Sequence, residues 1–136
     1  MNGIMFTMVS TQQSQTILAI DDDSAMTELL SLLLKNRGYN VMVANTGEDG
    51  IAKAIKDSPD VVILDLMMPG MDGWQVCERI RQFSSVPILI LSALDKPGMV
   101  ARALDAGADD FLVKPVKPEE FIATLRQRLI TKQSEK

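Results

Sequence analysis

Val61-Val62-Ile63-Leu64-Asp65-Leu66-Met67-Met68-Pro69-Gly70-Met71-Asp72-Gly73 is the stretch on which the fold turns. Four consecutive apolar residues read as a strand covered on both faces. A carboxylate ends it abruptly. Pro69, Gly70 and Gly73 then break the chain into a loop. From Trp74 to about Phe83, Val76 and Ile80 share one face of a helix. Strand, loop and helix make one βα unit.

The unit recurs on both sides. Ile17-Leu18-Ala19-Ile20 is a short buried strand stopped by Asp21-Asp22-Asp23. Met26, Leu29, Leu30 and Leu33 fall on one helical face, which Gly38 ends. Val41-Met42-Val43 is a second strand. Thr46 is placed to cap a helix through Ile51, Ala54 and Ile55, and Pro59 closes it. Pro87-Ile88-Leu89-Ile90-Leu91 is the fourth strand. A helix near Val100, Ala103 and Leu104 ends at Gly107, and Phe111-Leu112-Val113 is the fifth strand. Pro118 opens a last helix carrying Phe121, Ile122, Leu125 and Leu129. This alternation predicts an α/β fold: a five-stranded parallel sheet, doubly wound in the flavodoxin-like order 2-1-3-4-5, in a single domain. The expected boundaries are a flexible leader over 1–15, the domain over 16–131 and a polar tail over 132–136.

Composition narrows the chemistry. The chain has 136 residues, one cysteine (Cys77) and no histidine. That excludes an internal disulfide, histidine-based acid–base work and Ser-His-Asp triads within this chain. A net charge of −4 with 4% aromatic residues argues against direct nucleic-acid binding. No apolar run approaches the roughly 20 residues of a membrane span. The first basic residue is Lys35, so the N-terminal stretch lacks the charged start of a signal peptide, and the cytoplasm is the expected compartment.

The reactive side chains fall at the carboxyl ends of strands. Asp21 and Asp22 follow the first, Asp65 the third, Ser92 the fourth and Lys114 the fifth. In the order 2-1-3-4-5 the first and third strands are neighbours at the switch point, where such folds place ligands. Three carboxylates there repel one another unless one is protonated or a cation lies between them. Oxygen donors without His or Cys suit a hard ion such as Mg²⁺ (or Mn²⁺). Lys114 and Ser92 are then partners for phosphoryl oxygens, and Asp65 is the candidate nucleophile. The plainer reading of the Asp run is a helix cap. Trp74 and Met67, Met68 and Met71 read as packing, and Cys77 as an inert small hydrophobe.

Taken together these motifs resemble the receiver domain of two-component response regulators. ILAIDDD resembles its first strand and acidic pair, VVILDLMMPGMDGWQVCERIR its acceptor strand, loop and third helix, PILILSA its switch hydroxyl, and AGADDFLVKP its fifth-strand aromatic and lysine–proline pair. The resemblance spans about Thr16 to Ile130. It implies that Asp65 accepts a phosphoryl group and that Asp21, Asp22, Asp65 and the Met67 backbone carbonyl hold Mg²⁺. It implies that Ser92 and Lys114 contact the phosphoryl group, that Phe111 is the switch aromatic and that Lys114–Pro115 is cis. The implied partners are a histidine kinase or histidine phosphotransfer protein, with an output domain or separate target protein downstream. The chain is then a regulatory phospho-acceptor rather than an enzyme in the ordinary sense.

Two other readings stand beside it. A phosphohydrolase with an Asp nucleophile would carry a second Asp two residues on, where this chain has Met67. A flavodoxin-like cofactor carrier would need phosphate-binding amides where this chain has carboxylates. Met67 and Leu94 stand where many relatives have polar groups, which predicts slow autodephosphorylation. Arg102, Asp109, Asp110, Glu120 and Arg126 match the charges of a phosphorylation-linked homodimer across helices four and five, whereas Val100 and Thr124 depart from that pattern.

Overall fold

A computed structural model describes residues 15–134. In chain order the elements are β1 Thr16–Ile20, α1 Ser24–Lys35, β2 Asn40–Ala44, α2 Gly47–Asp57, β3 Val61–Leu64, α3 Gly73–Arg81, β4 Ile88–Ser92, α4 Pro97–Asp105, β5 Asp110–Val113 and α5 Pro118–Ser134. Every strand pair is parallel, and the order is β2-β1-β3-β4-β5, as the alternation predicts. The leader lies outside the described residues except Gln15, whose carbonyl accepts from Asn40 N at 3.0 Å. α5 continues to Ser134, through most of the stretch read as a polar tail.

Two-residue periodicity divides the core. Leu18 and Ile20 of β1, Val62 and Leu64 of β3, and Ile88 and Ile90 of β4 pack with α2, α3 and α4. Ile17, Ala19, Val61, Ile63, Leu89 and Leu91 pack on the other face with α1 and α5. Successive side chains of a strand point to opposite faces. A central parallel strand therefore needs the uninterrupted apolar run seen in VVIL.

The helices depart from the sequence reading at their edges. Leu29 is 60% exposed, while Thr27, Leu30 and Leu34 are the buried residues of α1. Ile55 and Leu104 are exposed as well, beside buried Ala54 and Ala103. The cause is common to all three. Each stands one residue, about 100° of rotation, from a residue already in the buried stripe: Leu29 before Leu30, Ile55 after Ala54 and Leu104 after Ala103. α3 ends at Arg81 rather than Phe83, because Gln82 N and Phe83 N bond back to Arg79 O and Ile80 O in a tightened last turn. β4 starts at Ile88; Pro87 has no N–H and contributes only its carbonyl, which accepts from Val62 N at 2.9 Å.

Candidate functional site

Backbone bonds between neighbouring strands bring the predicted residues to one edge. Asp21 N donates to Ala44 O at 3.1 Å, Asp65 N to Ile20 O at 3.0 Å and Lys114 N to Ser92 O at 2.8 Å. Each strand thus ends against its neighbour at the same height. Ser92 is the last residue of β4 rather than the first of the following loop.

The acidic run splits into three roles. Asp23 is the N-cap of α1, accepting from Ala25 N at 3.0 Å and Met26 N at 3.4 Å. Asp21 is buried and braces the turn by accepting from Asp23 N at 3.0 Å. Asp22 is exposed. Carboxylate oxygens of Asp21, Asp22 and Asp65 lie within 4.8 Å of one another. The helix-cap reading therefore holds for Asp23 alone.

Lys114 Nζ stands 3.1 Å from Asp21 Oδ2 and 4.0 Å from Asp65 Oδ1. Burial raises the Asp65 carboxyl above its ordinary value of 3.8, and the Asp21 charge adds to the rise. The Lys114 charge and a hydrogen bond from the Leu66 backbone oppose it. The donor set is all oxygen and crowded with negative charge, which fits a hard divalent cation.

The other predicted residues sit close by in the fold. Ser92 is fully buried, and its Oγ accepts from Leu94 N at 3.3 Å. Phe111 pairs in register with Ile90 and packs partly buried against the core under α2, α3 and α4. Met67 is exposed in the loop after Asp65. The Lys114–Pro115 peptide is cis.

Sequence reasoning missed the supports. Asn45 Nδ2 donates to Asp21 O at 2.7 Å and to Thr27 Oγ1 at 3.1 Å, tying the end of β2 to the acidic loop. Gly73 opens α3 against Asp65; a Cβ there would stand 2.3 Å from Asp65 O. Asp72 caps α3 in a reciprocal pair with Gln75, a D-x-x-Q pattern that was legible. The Asn45 contact had no local signal, because its partners lie on another strand and helix.

Several charges assigned to dimerisation are engaged within the chain. Arg81 Nη2 pairs with Asp109 Oδ2 at 2.9 Å, Arg128 pairs with Asp110, and the Arg102 guanidinium lies over the Trp74 ring. Trp74 is thus more than packing.

A 2-1-3-4-5 sheet with carboxylates after β1 and β3 and a lysine after β5 has the layout of a receiver. The comparisons agree. The chain matches the response regulator receiver domain family over residues 17–126 and belongs to it. It is 41% identical over 115 residues to the DNA-binding response regulator MtrA of Mycolicibacterium paratuberculosis, covering 85% of this chain and 51% of that protein. It is 44% identical over 114 residues to the response regulator MprA of Mycobacterium leprae, covering 83% and 50%. The chain thus spans about half the length of the curated relatives it matches. Among solved structures it resembles a CheY-like receiver domain protein from Methanospirillum hungatei, with a TM-score of 0.86 and 25% identity over 90% of this chain and 98% of that one. It also resembles the BeF3-activated N-terminal receiver domain of Klebsiella pneumoniae RstA, with a TM-score of 0.81 and 30% identity over 85% and 98%. Among the described residues no helix is long and apolar enough to cross a membrane.

Proposed function

We propose that Asp65 is the phospho-acceptor of this receiver and that its phosphorylation resets the face formed by α4, β5 and α5 to control a downstream output. The observation that carries the reading is the meeting of Asp21, Asp22 and Asp65 with Lys114 at the switch point. An Asp65 oxygen attacks the phosphorus of a donor phosphohistidine; the P–O bond forms, the P–N bond breaks, and the imidazole leaves with the electron pair. The chain has no histidine, so the donor is a separate kinase or phosphotransfer domain.

Asp21, Asp22, Asp65 and the Met67 carbonyl would hold Mg²⁺, which when bound neutralises charge on the transferring group. Lys114 supplies a positive charge to the phosphoryl oxygens, and the Ser92 hydroxyl supplies a hydrogen bond. Phe111 follows Ser92, which carries the change to β5. The acceptor works once per phosphorylation, so the chain is a regulatory protein rather than a turnover enzyme.

Lys114 also lines an apolar groove of about 490 Å³ with Met26, Leu29, Leu33 and Phe121. The groove adjoins the site through Lys114, and exposed Leu29 is part of its lining. The output of a whole regulator such as the DNA-binding MtrA would lie in the half of those relatives that this chain does not match.

The test is intact mass after incubation with acetyl phosphate, with and without Mg²⁺, for wild type and Asp65→Asn. One added phosphoryl group that requires both Mg²⁺ and Asp65 supports the reading. An adduct that persists in Asp65→Asn assigns the acceptor elsewhere.

A further inference from the structure

α4 is held unevenly along its length. Its C-terminal end is pinned. Arg81 donates to Gly107 O at 2.9 Å, to Val86 O at 2.7 Å and to Asp109 Oδ2 at 2.9 Å. A Cβ on Gly107 would stand 2.6 Å from Arg81 Cγ, so glycine and arginine are fitted to each other. Cys77 Sγ adds a contact to Ala106 O at 3.4 Å.

The N-terminal end has no polar pin of this kind and rests on Met99, which packs partly buried against the core. Lys96 occupies the N-cap position without a side-chain hydrogen bond, and Ala103 is the buried residue of the helix. A Cβ on Gly98 would meet nothing within 4 Å. This loose end follows directly on the loop from Ser92.

In the last turn of α4, the Arg102 guanidinium lies 4.2 Å from the Trp74 ring centroid. Trp74 belongs to the first turn of α3, just past the loop that begins at Asp65. Its ring is buried, yet Nε1 has no hydrogen-bond partner. A buried donor without an acceptor disfavours the arrangement that contains it. Arg102 thus adds an aromatic contact to the Cys77 and Arg81 contacts by which α3 meets the end of α4.

We propose that Arg102 and Trp74 form a clamp that holds α4 in its resting position, and that α4 pivots about the Arg81–Gly107 pin when the clamp opens. The link to signalling rests on the phospho-acceptor reading, since Ser92 joins the site to the loose end. Free energy that the clamp gives to the resting state must be overcome by the phosphoryl group. A cation–π contact at an exposed arginine is worth about two- to fivefold in such an equilibrium.

Trp74 is the one tryptophan of the chain, so its indole N–H gives a single resolved signal in a ¹⁵N–¹H spectrum. Wild type, Arg102→Ala and Arg102→Lys are titrated with beryllofluoride and Mg²⁺ as a phosphoryl mimic. In Arg102→Ala without the mimic, the indole signal is expected to lie part-way along the wild-type path from free to saturated. Its beryllofluoride midpoint is expected to fall about two- to fivefold. Arg102→Lys is expected between the two. Amide hydrogen exchange at the N-terminal half of α4 rises by a similar factor in Arg102→Ala, while exchange in α5 stays constant. An unmoved indole signal with an unchanged midpoint and unchanged exchange overturns the clamp. Failure of all three proteins to bind beryllofluoride overturns the phospho-acceptor reading instead, and the exchange rates still judge the clamp.

Discussion

Lys114 donates to Asp21 at 3.1 Å and stands farther, at 4.0 Å, from Asp65. The ammonium is therefore bonded to a carboxylate of the cation site rather than to the candidate acceptor. It occupies part of the negative field that a divalent cation would use, and on the phospho-acceptor reading it would pass to phosphoryl oxygens on Asp65.

Lys114→Met separates these two roles. Removing a positive charge a few ångströms from the cation site is expected to tighten Mg²⁺ binding on the order of tenfold, measured by calorimetry. The same change is expected to slow phosphorylation by acetyl phosphate by at least about tenfold, because transferring charge loses its partner. Mg²⁺ affinity equal to wild type would show that Lys114 does not oppose the cation.

Asp65 sets a pH dependence whose sign follows from its raised carboxyl. The folded protein holds that proton more tightly than the unfolded chain does. The penalty for ionised Asp65 is absent below the unfolded value of 3.8 and grows as pH rises toward the folded value. Asp65→Asn removes it. Without Mg²⁺ the variant is expected to melt above wild type at pH 7. The two curves should converge near pH 3. A variant no more stable at pH 7 than at pH 3, relative to wild type, contradicts the assignment.

Met67 and Leu94 flank the site with apolar side chains, Met67 exposed and Leu94 partly buried. Neither orients a water for attack on an acyl phosphate. The phosphorylated protein is expected to persist for many minutes, and Met67→Asn to shorten its life by about tenfold or more by positioning a water. Loss of the adduct within seconds in wild type would refute this.

Gly73 lets α3 start against the Asp65 backbone. Gly73→Ala forces a Cβ into the space 2.3 Å from Asp65 O and 2.6 Å from Leu66 Cα. The expected cost is about 1–3 kcal/mol of stability, with weaker Mg²⁺ binding, because the atoms that must move are backbone. Gly70→Ala is the control for the loop: its φ of +77° carries strain, but its Cβ meets nothing within 4 Å. Equal Mg²⁺ affinity in both variants would mean that Gly73 supports the fold and not the site.

Much of the architecture was legible because its causes are local. VVIL has the uninterrupted apolar run that two covered faces require, and every residue of it is buried. Thr46 caps α2 as its spacing suggests, accepting from Asp49 N at 3.0 Å. Leu29, Ile55 and Leu104 were misplaced because periodicity identifies an apolar sector without saying how deep the helix sits.

Alternation and chain breakers act over a few residues, so they suffice to say which residues end strands, and hence that Asp21, Asp22, Asp65, Ser92 and Lys114 share one edge. That Lys114 bonds Asp21, that Asn45 holds the acidic loop and that Arg102 covers Trp74 emerges from the packed layers alone. Those contacts join residues far apart in the chain, and side-chain reach across the packed layers chooses among partners that spacing leaves equivalent.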